Sequence, residues 1–539
     1  MDFLTLSTFM GATAAVAIAT FLIVRRMEKS KSAEVEYFGG GRALTWPIVA
    51  GSLMLTNLST EQLVGLNGAV FGDGNLVGIA WEALAAVAMI LTALVFLPRY
   101  LRSGFTTTPG YLEQRFDGTT RSIVSGLFLF GYVTVLLPVV LYTGSLAVRG
   151  IFDLEVPLWM IVAGIGSLGS CYAIFGGLKS VAVSDTFNGV GLLIGGLAIP
   201  FLGLSMLGDG SVAAGISQLM VEKPGSLTPL ATLNQYGEPA SVPWPTLLTG
   251  MMMIQVFYWS TNQVIVQRAI GAVNLEEGQK GVLFASFLKI LGPLMLCLPA
   301  IIALHMVPEL GLEADPETGR IPQDKVYPAM VRLVLPKASL GLFAAVLVGA
   351  ILSSFNSALN SAATLFSLGF YQRYINKGAP ASQIVKVGKV FGTILAVSSI
   401  IIAPMLEELQ SIYEYLQKVN GLYSVPIISI FFMGIVSSRT SALAAKIGMV
   451  SGLIAYTFFN FAGVEGLHWL HGYAISFGLS IGTMMVVNLW RPRTSAEIAA
   501  SRDLPPAPVD MTPWRYAKAA SWVIVVLLVT TMVPGSTQK

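Results

Sequence analysis

Apolar residues dominate this chain in long runs, and polar residues collect in the short intervals between them. A bilayer-spanning helix needs roughly 20 apolar residues. Fourteen runs meet that length, near 3–24, 46–70, 74–98, 121–151, 156–176, 181–207, 243–267, 278–306, 338–371, 384–404, 408–436, 440–462, 467–490 and 514–533. The second run is unlike the others. At its centre stands Asn57-Leu-Ser-Thr-Glu-Gln62, inside an otherwise apolar stretch from Trp46 to Phe71. A carboxylate and two amides at that depth are expensive, because lipid offers them no hydrogen-bond partner. Such a break survives where it lines a polar cavity, and a broken helix at mid-membrane marks the binding site of a secondary transporter. Five spans later Gln255-Val-Phe-Tyr-Trp-Ser-Thr-Asn-Gln263 interrupts another apolar run. That offset fits two inverted five-helix repeats, spans 2–6 and 7–11.

The pattern divides the chain into an extra helix with its inner loop (1–35), a first repeat (36–207), an external loop (208–242), a second repeat (243–437) and three C-terminal spans (438–539). Composition agrees with membrane residence: 54% of the 539 residues are hydrophobic and 11% charged, against about 25% charged in soluble chains. Asp2 precedes the first span and Arg25, Arg26, Lys29 and Lys31 follow it, which puts the N-terminus outside. Threading fourteen spans from there leaves 23 of the 32 Lys and Arg inside, 7 outside, and Lys289 and Lys418 within spans. Both termini are then outside. These inner loops account for the net charge of +3. No basic cluster with interleaved aromatics suggests nucleic acid, and no Walker phosphate loop suggests ATP coupling. Cys171 and Cys297 fall within spans and only three His are present, so neither a disulfide nor a transition-metal site is expected. An enzyme would need a nucleophile with its base, or a metal, and neither pattern occurs.

Glu61, Glu82 and Lys289 are the ionisable residues most exposed to cost within spans. Charges of this kind pair, face a cavity, or both. Glu82 and Lys289 read either as a salt bridge fixing two helices or as partners for the hydroxyls of a neutral solute. Ser353 and Ser354 sit in the apolar run that begins at Gly341. They read either as hydroxyls bonded back to their own helix or as oxygen ligands for a hard cation.

Four segments together resemble the solute:sodium symporter family: Tyr37-Phe-Gly-Gly-Gly-Arg-Ala-Leu-Thr-Trp46 with Gly51-Ser-Leu-Met-Leu-Thr-Asn-Leu-Ser-Thr-Glu-Gln-Leu-Val-Gly65, then Gly176-Gly-Leu-Lys-Ser-Val-Ala-Val-Ser-Asp185, Tyr258-Trp-Ser-Thr-Asn-Gln-Val-Ile-Val-Gln-Arg268, and Ala350-Ile-Leu-Ser-Ser-Phe-Asn-Ser-Ala-Leu-Asn-Ser361. The match runs in order from about residue 35 to 435 and is nearest to the sodium/galactose and sodium/glucose members. The resemblance implies an all-α membrane protein of the LeuT-like inverted-repeat fold, working by alternating access in a bacterial cytoplasmic membrane. It implies Na+ as the coupling ion, bound by carbonyls of Leu55, Leu58 and Ala350 and by the hydroxyls of Ser353 and Ser354. Asp185 takes the position of a residue that attracts exiting Na+; a helix cap is the alternative. The solute set implied is Asn57, Glu61, Gln62, Glu82, Gln255, Lys289 and Gln417. Tyr258 is the implied inner gate, and Leu66, Trp81 and Tyr413 occupy the outer lid.

Three departures bear on the solute. Leu136 replaces an asparagine of the galactose symporter, Ala85 a serine, and Gln255 an asparagine. A lost partner leaves a bound hydroxyl unpaired at about 1–3 kcal/mol, so the expected solute is a neutral sugar with one hydroxyl missing or turned, or a related polyol. The core spans offer no arginine to grip a carboxylate, which disfavours acidic solutes. The alternatives are a sodium symporter for an amino or organic acid and a transporter-like membrane sensor, although residues 491–539 leave no room for a signalling domain. No obligate protein partner is expected beside membrane lipid.

Overall fold

The computed structural model describes residues 3–27, 42–408, 412–462, 464, 466–500 and 507–532; the side chains of 171–177 and 179 also lie outside it. Residues 37–41 of the first family segment and the boundary at 35/36 fall outside these ranges. Among the described residues each of the fourteen apolar runs contains helix. Among the described residues nine helices are long and apolar enough to cross a membrane, and Leu275–Lys289 with Gly292–His305 makes a tenth as one span bent by 49°. Pro293 follows that bend, as expected where a missing N–H interrupts the ladder.

The two interruptions read in the sequence are breaks in the structure. Trp46–Asn57 ends at Leu58 (φ −76, ψ 59) and the chain resumes as a wide turn, Glu61–Leu66, followed by Asn67–Asp73. Gly250–Ser260 stops at Thr261, and Asn262 caps Gln263–Ile270 by accepting from the Val264 N–H at 3.1 Å. Asparagine is a favoured N-cap because its side chain replaces the missing helix carbonyl.

Long helices surround the breaks. Gly118–Phe152 and Lys337–Ile375 are each continuous spans that contain a wide-turn segment, Tyr132–Leu136 and Ser367–Ile375 respectively. The expected turn at 177–180 is itself helical, so the two spans 156–176 and 181–207 form one run, Leu158–Leu207. That run is not straight. Gly169 lies against Phe355 and Gly191 against Val346. A straight helix would separate those glycines by about 33 Å, while their partners are about 14 Å apart along their own helix. The run is therefore bent, and both of its ends pack on one neighbour. Glycine permits this closeness: a Cβ at Gly144 would meet Ile351 at 2.7 Å, and one at Gly51 would meet Thr186 at 2.9 Å. Small residues at crossings are how membrane helices gain packing contact. Phe3–Arg26 packs at the periphery, where the Thr5 hydroxyl donates to the Lys337 carbonyl at 3.1 Å.

Candidate functional site

The breaks free backbone carbonyls, and the two breaks treat them differently. At the second, Thr92 donates to the Trp259 carbonyl at 3.0 Å and the Tyr100 hydroxyl to that of Ser260 at 2.7 Å. Tyr132 donates to Asn262 Oδ1 at 2.7 Å, and Gln263 accepts from the Thr108 N–H at 2.8 Å. At the first break, among the described residues, no backbone N–H reaches the carbonyls of Leu55, Thr56, Asn57 or Leu58. The Ser354 hydroxyl lies 3.5 Å from the Thr56 carbonyl, and the buried Ser353 hydroxyl lies beside the Asp185 carboxylate. Leu55, Leu58 and Ala350 are also buried. Neutral oxygens gathered in a dry site without enough N–H donors suit a hard monovalent cation. Of the expected sodium residues, Ser354 reaches the broken helix at Thr56, the residue after Leu55.

One turn further, Lys289 donates to the Glu82 carboxylate and to Asn57 Oδ1, and its ammonium lies 5.5 Å from the Trp259 ring centroid. Lys289 and Glu82 are 0% and 2% exposed. The salt-bridge reading is therefore realised, and Lys289 retains a third N–H. Glu61 is buried and accepts from the Ser59 hydroxyl two residues before it. Tyr258 is placed with Asn57, Glu61 and Glu82 around its hydroxyl and Arg268 within electrostatic reach.

Above this cluster, at the expected outer face, a vestibule of about 1380 Å³ is lined by Asp73, Trp81, Arg149, Arg320, Tyr413 and Gln417, among others. Trp81 and Tyr413 meet edge to face at its floor, centroids 5.5 Å apart at 87°. The Tyr413 ring rests on Gly65 of the wide turn, and Leu66 is fully buried next to it. Trp81 Nε1 is buried and without a partner among the described residues, while the buried Tyr413 hydroxyl lies beside the side chains of Gln62 and Gln417. Gln255 departs from expectation: its amide donates to the Trp81 carbonyl at 3.0 Å, tying the second broken helix to the lid. Gln417 lines the vestibule. Leu136 is half-buried and Ala85 buried.

At the other end the expectation of no core arginine needs correction. Arg268, one residue past the predicted span, is fully buried. It pairs with Asp185 at 3.4 Å, donates to Ser52 at 2.7 Å, and bonds Ser357. Asp185 also accepts from Ser52 at 2.6 Å. It is therefore no helix cap, since it lies inside Leu158–Leu207. Arg268 is engaged by this carboxylate and does not face the solute cluster as an open grip. The sequence concealed this because the residues after 268 look like a solvated loop.

The expected external loops brace the outer side. Asp73 accepts from the Ser241 N–H at 2.8 Å and from its hydroxyl, and Gln235 donates to the Phe71 carbonyl at 2.8 Å. The Gln323 backbone crowds Gly68 and its side chain crowds Gly72. Next to it Asp324 accepts from the N–H of Ile412, the first described residue of the helix that carries Tyr413. Burial pushes the Asp324 carboxyl up to about 7, against the pull of that bond.

Residues 37–452 match the "Sodium:solute symporter family". The uncharacterized symporter YidK of Escherichia coli (strain K12) is 41% identical over 531 residues, covering 97% of this chain and 89% of that protein. The sodium/glucose cotransporter of Vibrio parahaemolyticus is 32% identical over 460 residues, 83% of each chain. A human sodium/myo-inositol cotransporter 2 is 29% identical over 438 residues, 78% of this chain and 64% of that one. Among solved structures, a substrate-bound outward-open Na+-coupled sialic acid symporter superposes with a TM-score of 0.76 at 20% identity, covering 91% of this chain and 99% of that one. MhsT in complex with L-phenylalanine gives 0.50 at 14% identity, with 83% and 99% covered.

Proposed function

The chain belongs to the sodium:solute symporter family, and from that premise we propose that it imports a neutral sugar or polyol with Na+ by alternating access. The family makes it a multi-pass membrane transporter of the LeuT-like fold, coupled to sodium, and not an enzyme. What supports a neutral polyhydroxyl solute is the charge balance of the cluster. Glu82 and Lys289 neutralise each other, the Glu61 carboxylate is held by the Ser59 hydroxyl, and the groups facing the vestibule floor are uncharged: the Gln62 amide, Trp81 Nε1 and the Tyr413 hydroxyl. Neutral donors and acceptors suit hydroxyls, whereas a carboxylate would meet Glu82 and find Arg268 already engaged. Relatives named for glucose and myo-inositol point the same way.

In this reading Na+ enters from outside and takes the freed carbonyls of Leu55 and Leu58, the carbonyl of Ala350 and the hydroxyls of Ser353 and Ser354. Its binding orders the first break and fixes Gln62 in the next turn. Solute then bonds Gln62, Glu82 and Lys289 and draws Trp81 and Tyr413 over it. Inward release passes Tyr258, with Asp185 attracting the departing ion, in the cytoplasmic membrane of a bacterium with both termini outside. Proteoliposomes given radiolabelled neutral sugars and polyols test this. An inward Na+ gradient should drive accumulation of one of them, and K+ or choline should not. Accumulation only of amino or organic acids would overturn the solute class.

A further inference from the structure

Gln255 belongs to the solute set by sequence, yet it spends its donor on the protein. It lies within Gly250–Ser260, one turn before Tyr258 and on the same side of that helix. It is 4% exposed, and its amide donates to the Trp81 carbonyl at 3.0 Å. Trp81 stands in the first turn of Ile79–Leu91, where a helix carbonyl keeps a second lone pair for such a bond. Thr92, Tyr100 and Tyr132 already bond the second break, so this contact is not what satisfies it.

The bond joins a fixed element to the residues that would cover the solute. On one side, the outer end of Gly250–Ser260 is seated on Trp469–Trp490, beyond the expected repeats. Gly250 leaves no room for a Cβ against the Leu470 carbonyl, and the Thr249 hydroxyl meets His471 Nδ1 at 3.0 Å. On the other side, the Trp81 ring meets Tyr413 at the vestibule floor, and Glu82, next in the chain, holds Lys289. Trp81 Nε1 has no partner among the described residues, so no hydrogen bond of its own orients the ring. What Gln255 fixes is the main chain from which that ring projects. A buried hydrogen bond is worth several-fold in an equilibrium. An asparagine at 255 would be one methylene shorter, and a leucine would have no donor.

We infer that Gln255 is a positioning residue of the outer lid: it sets Trp81 over the solute through the Trp81 main chain and does not itself bind the solute. The inference rests on the lid role of Trp81 proposed above. Its signature is kinetic. A lid held out of place admits solute as before but fails to retain it, so the loss falls on release. A residue that touched the solute would instead be felt whether or not the Trp81 ring is present.

A double-mutant cycle tests this. Wild type, Gln255→Leu, Trp81→Ala and the double variant are purified and compared at saturating Na+. The probe is radiolabelled D-glucose or myo-inositol, whichever the wild-type protein accumulates, and its binding and its release on dilution are followed. Gln255→Met, which keeps the length and also lacks the donor, controls for the packing of leucine. Both Gln255 variants should speed release about fivefold while leaving association and the Na+ titration within about twofold. In Trp81→Ala, which keeps the main-chain bond but has no ring to place, Gln255→Leu should add less than about twofold. Equal losses in both backgrounds would overturn the inference and return Gln255 to the solute's own contacts. Wild-type release in both Gln255 variants would overturn it while leaving the lid reading intact, provided that Trp81→Ala speeds release. If Trp81→Ala itself releases solute at the wild-type rate, the lid reading fails and this inference with it.

Discussion

Replacing Lys289 by methionine removes the ammonium that bonds both Glu82 and Asn57. The remaining carboxylate is 2% exposed and has no other cation in the described hydrogen bonds. Breaking a buried pair by removing one partner costs about 3–5 kcal/mol, while replacing both charges is close to neutral. Lys289→Met should therefore destabilise the protein by that amount. Adding Glu82→Gln should restore stability to within about 2 kcal/mol, because no uncompensated charge is left. Glutamine is the right partner sterically, since Gly292 packs directly on the Glu82 carboxyl and leaves no space for a bulkier group. Unfolding in graded detergent mixtures measures the stability, and Na+-driven uptake measures function. The double variant should fold and bind Na+ but fail to accumulate solute. Normal uptake by the double variant would show that the pair only fastens two helices. An unchanged stability in Lys289→Met would refute the electrostatic argument itself.

Ser354→Ala removes a hydroxyl from the first break, and the Na+ concentration for half-maximal uptake should rise about tenfold, as for the loss of one polar ligand near 1.4 kcal/mol; an unchanged Na+ titration would sink this site. Trp81→Ala removes an edge-to-face pair with about 0.5–1.5 kcal/mol beyond its buried area. Solute affinity should fall while Na+ affinity without solute stays the same, and equal losses in both would contradict a lid role. Asp324, with its carboxyl pushed up to about 7, predicts a pH effect on lid closure. A raised value means that the buried, lid-closed arrangement holds the proton more tightly than a hydrated carboxyl does. Closure is then favoured as external pH falls below about 7, fully so below the ordinary carboxyl range, and the advantage is lost as pH rises through 7. Solute affinity measured between external pH 5 and 8 should follow that sign, and Asp324→Asn should flatten it; a slope that persists in Asp324→Asn would place the titration elsewhere.

The breaks were legible because polar residues at bilayer depth are rare and demand a reason, so Asn57–Gln62 and Gln255–Gln263 announced themselves. Their different chemistry was not legible. Thr92 and Tyr132, which help satisfy the second break, come from spans that read as ordinary apolar helices, and Tyr100 lies just past the end of one. Arg268 was hidden by position, since a basic residue at a span end has the same local pattern whether it meets solvent or a buried carboxylate. The partner of Gln255 is a main-chain carbonyl, which no residue pattern encodes.

The asymmetry of the two breaks also bears on coupling. The second is held by protein hydrogen bonds from two neighbouring spans, so its geometry persists without a ligand. The first leaves the carbonyls of Leu55 to Leu58 without backbone donors, with only a long bond from Ser354 to that of Thr56. In the proposed cycle Na+ acts on this one short segment, and Gln62 stands in the turn that follows it. Solute contacts through Gln62 and the Tyr413 ring on Gly65 act on the same turn from the other side. Each ligand thus stabilises the arrangement that the other requires, and linkage makes the two effects equal in size. Had both breaks been satisfied internally, each ligand could bind without altering the other, and a sodium gradient would have nothing to drive.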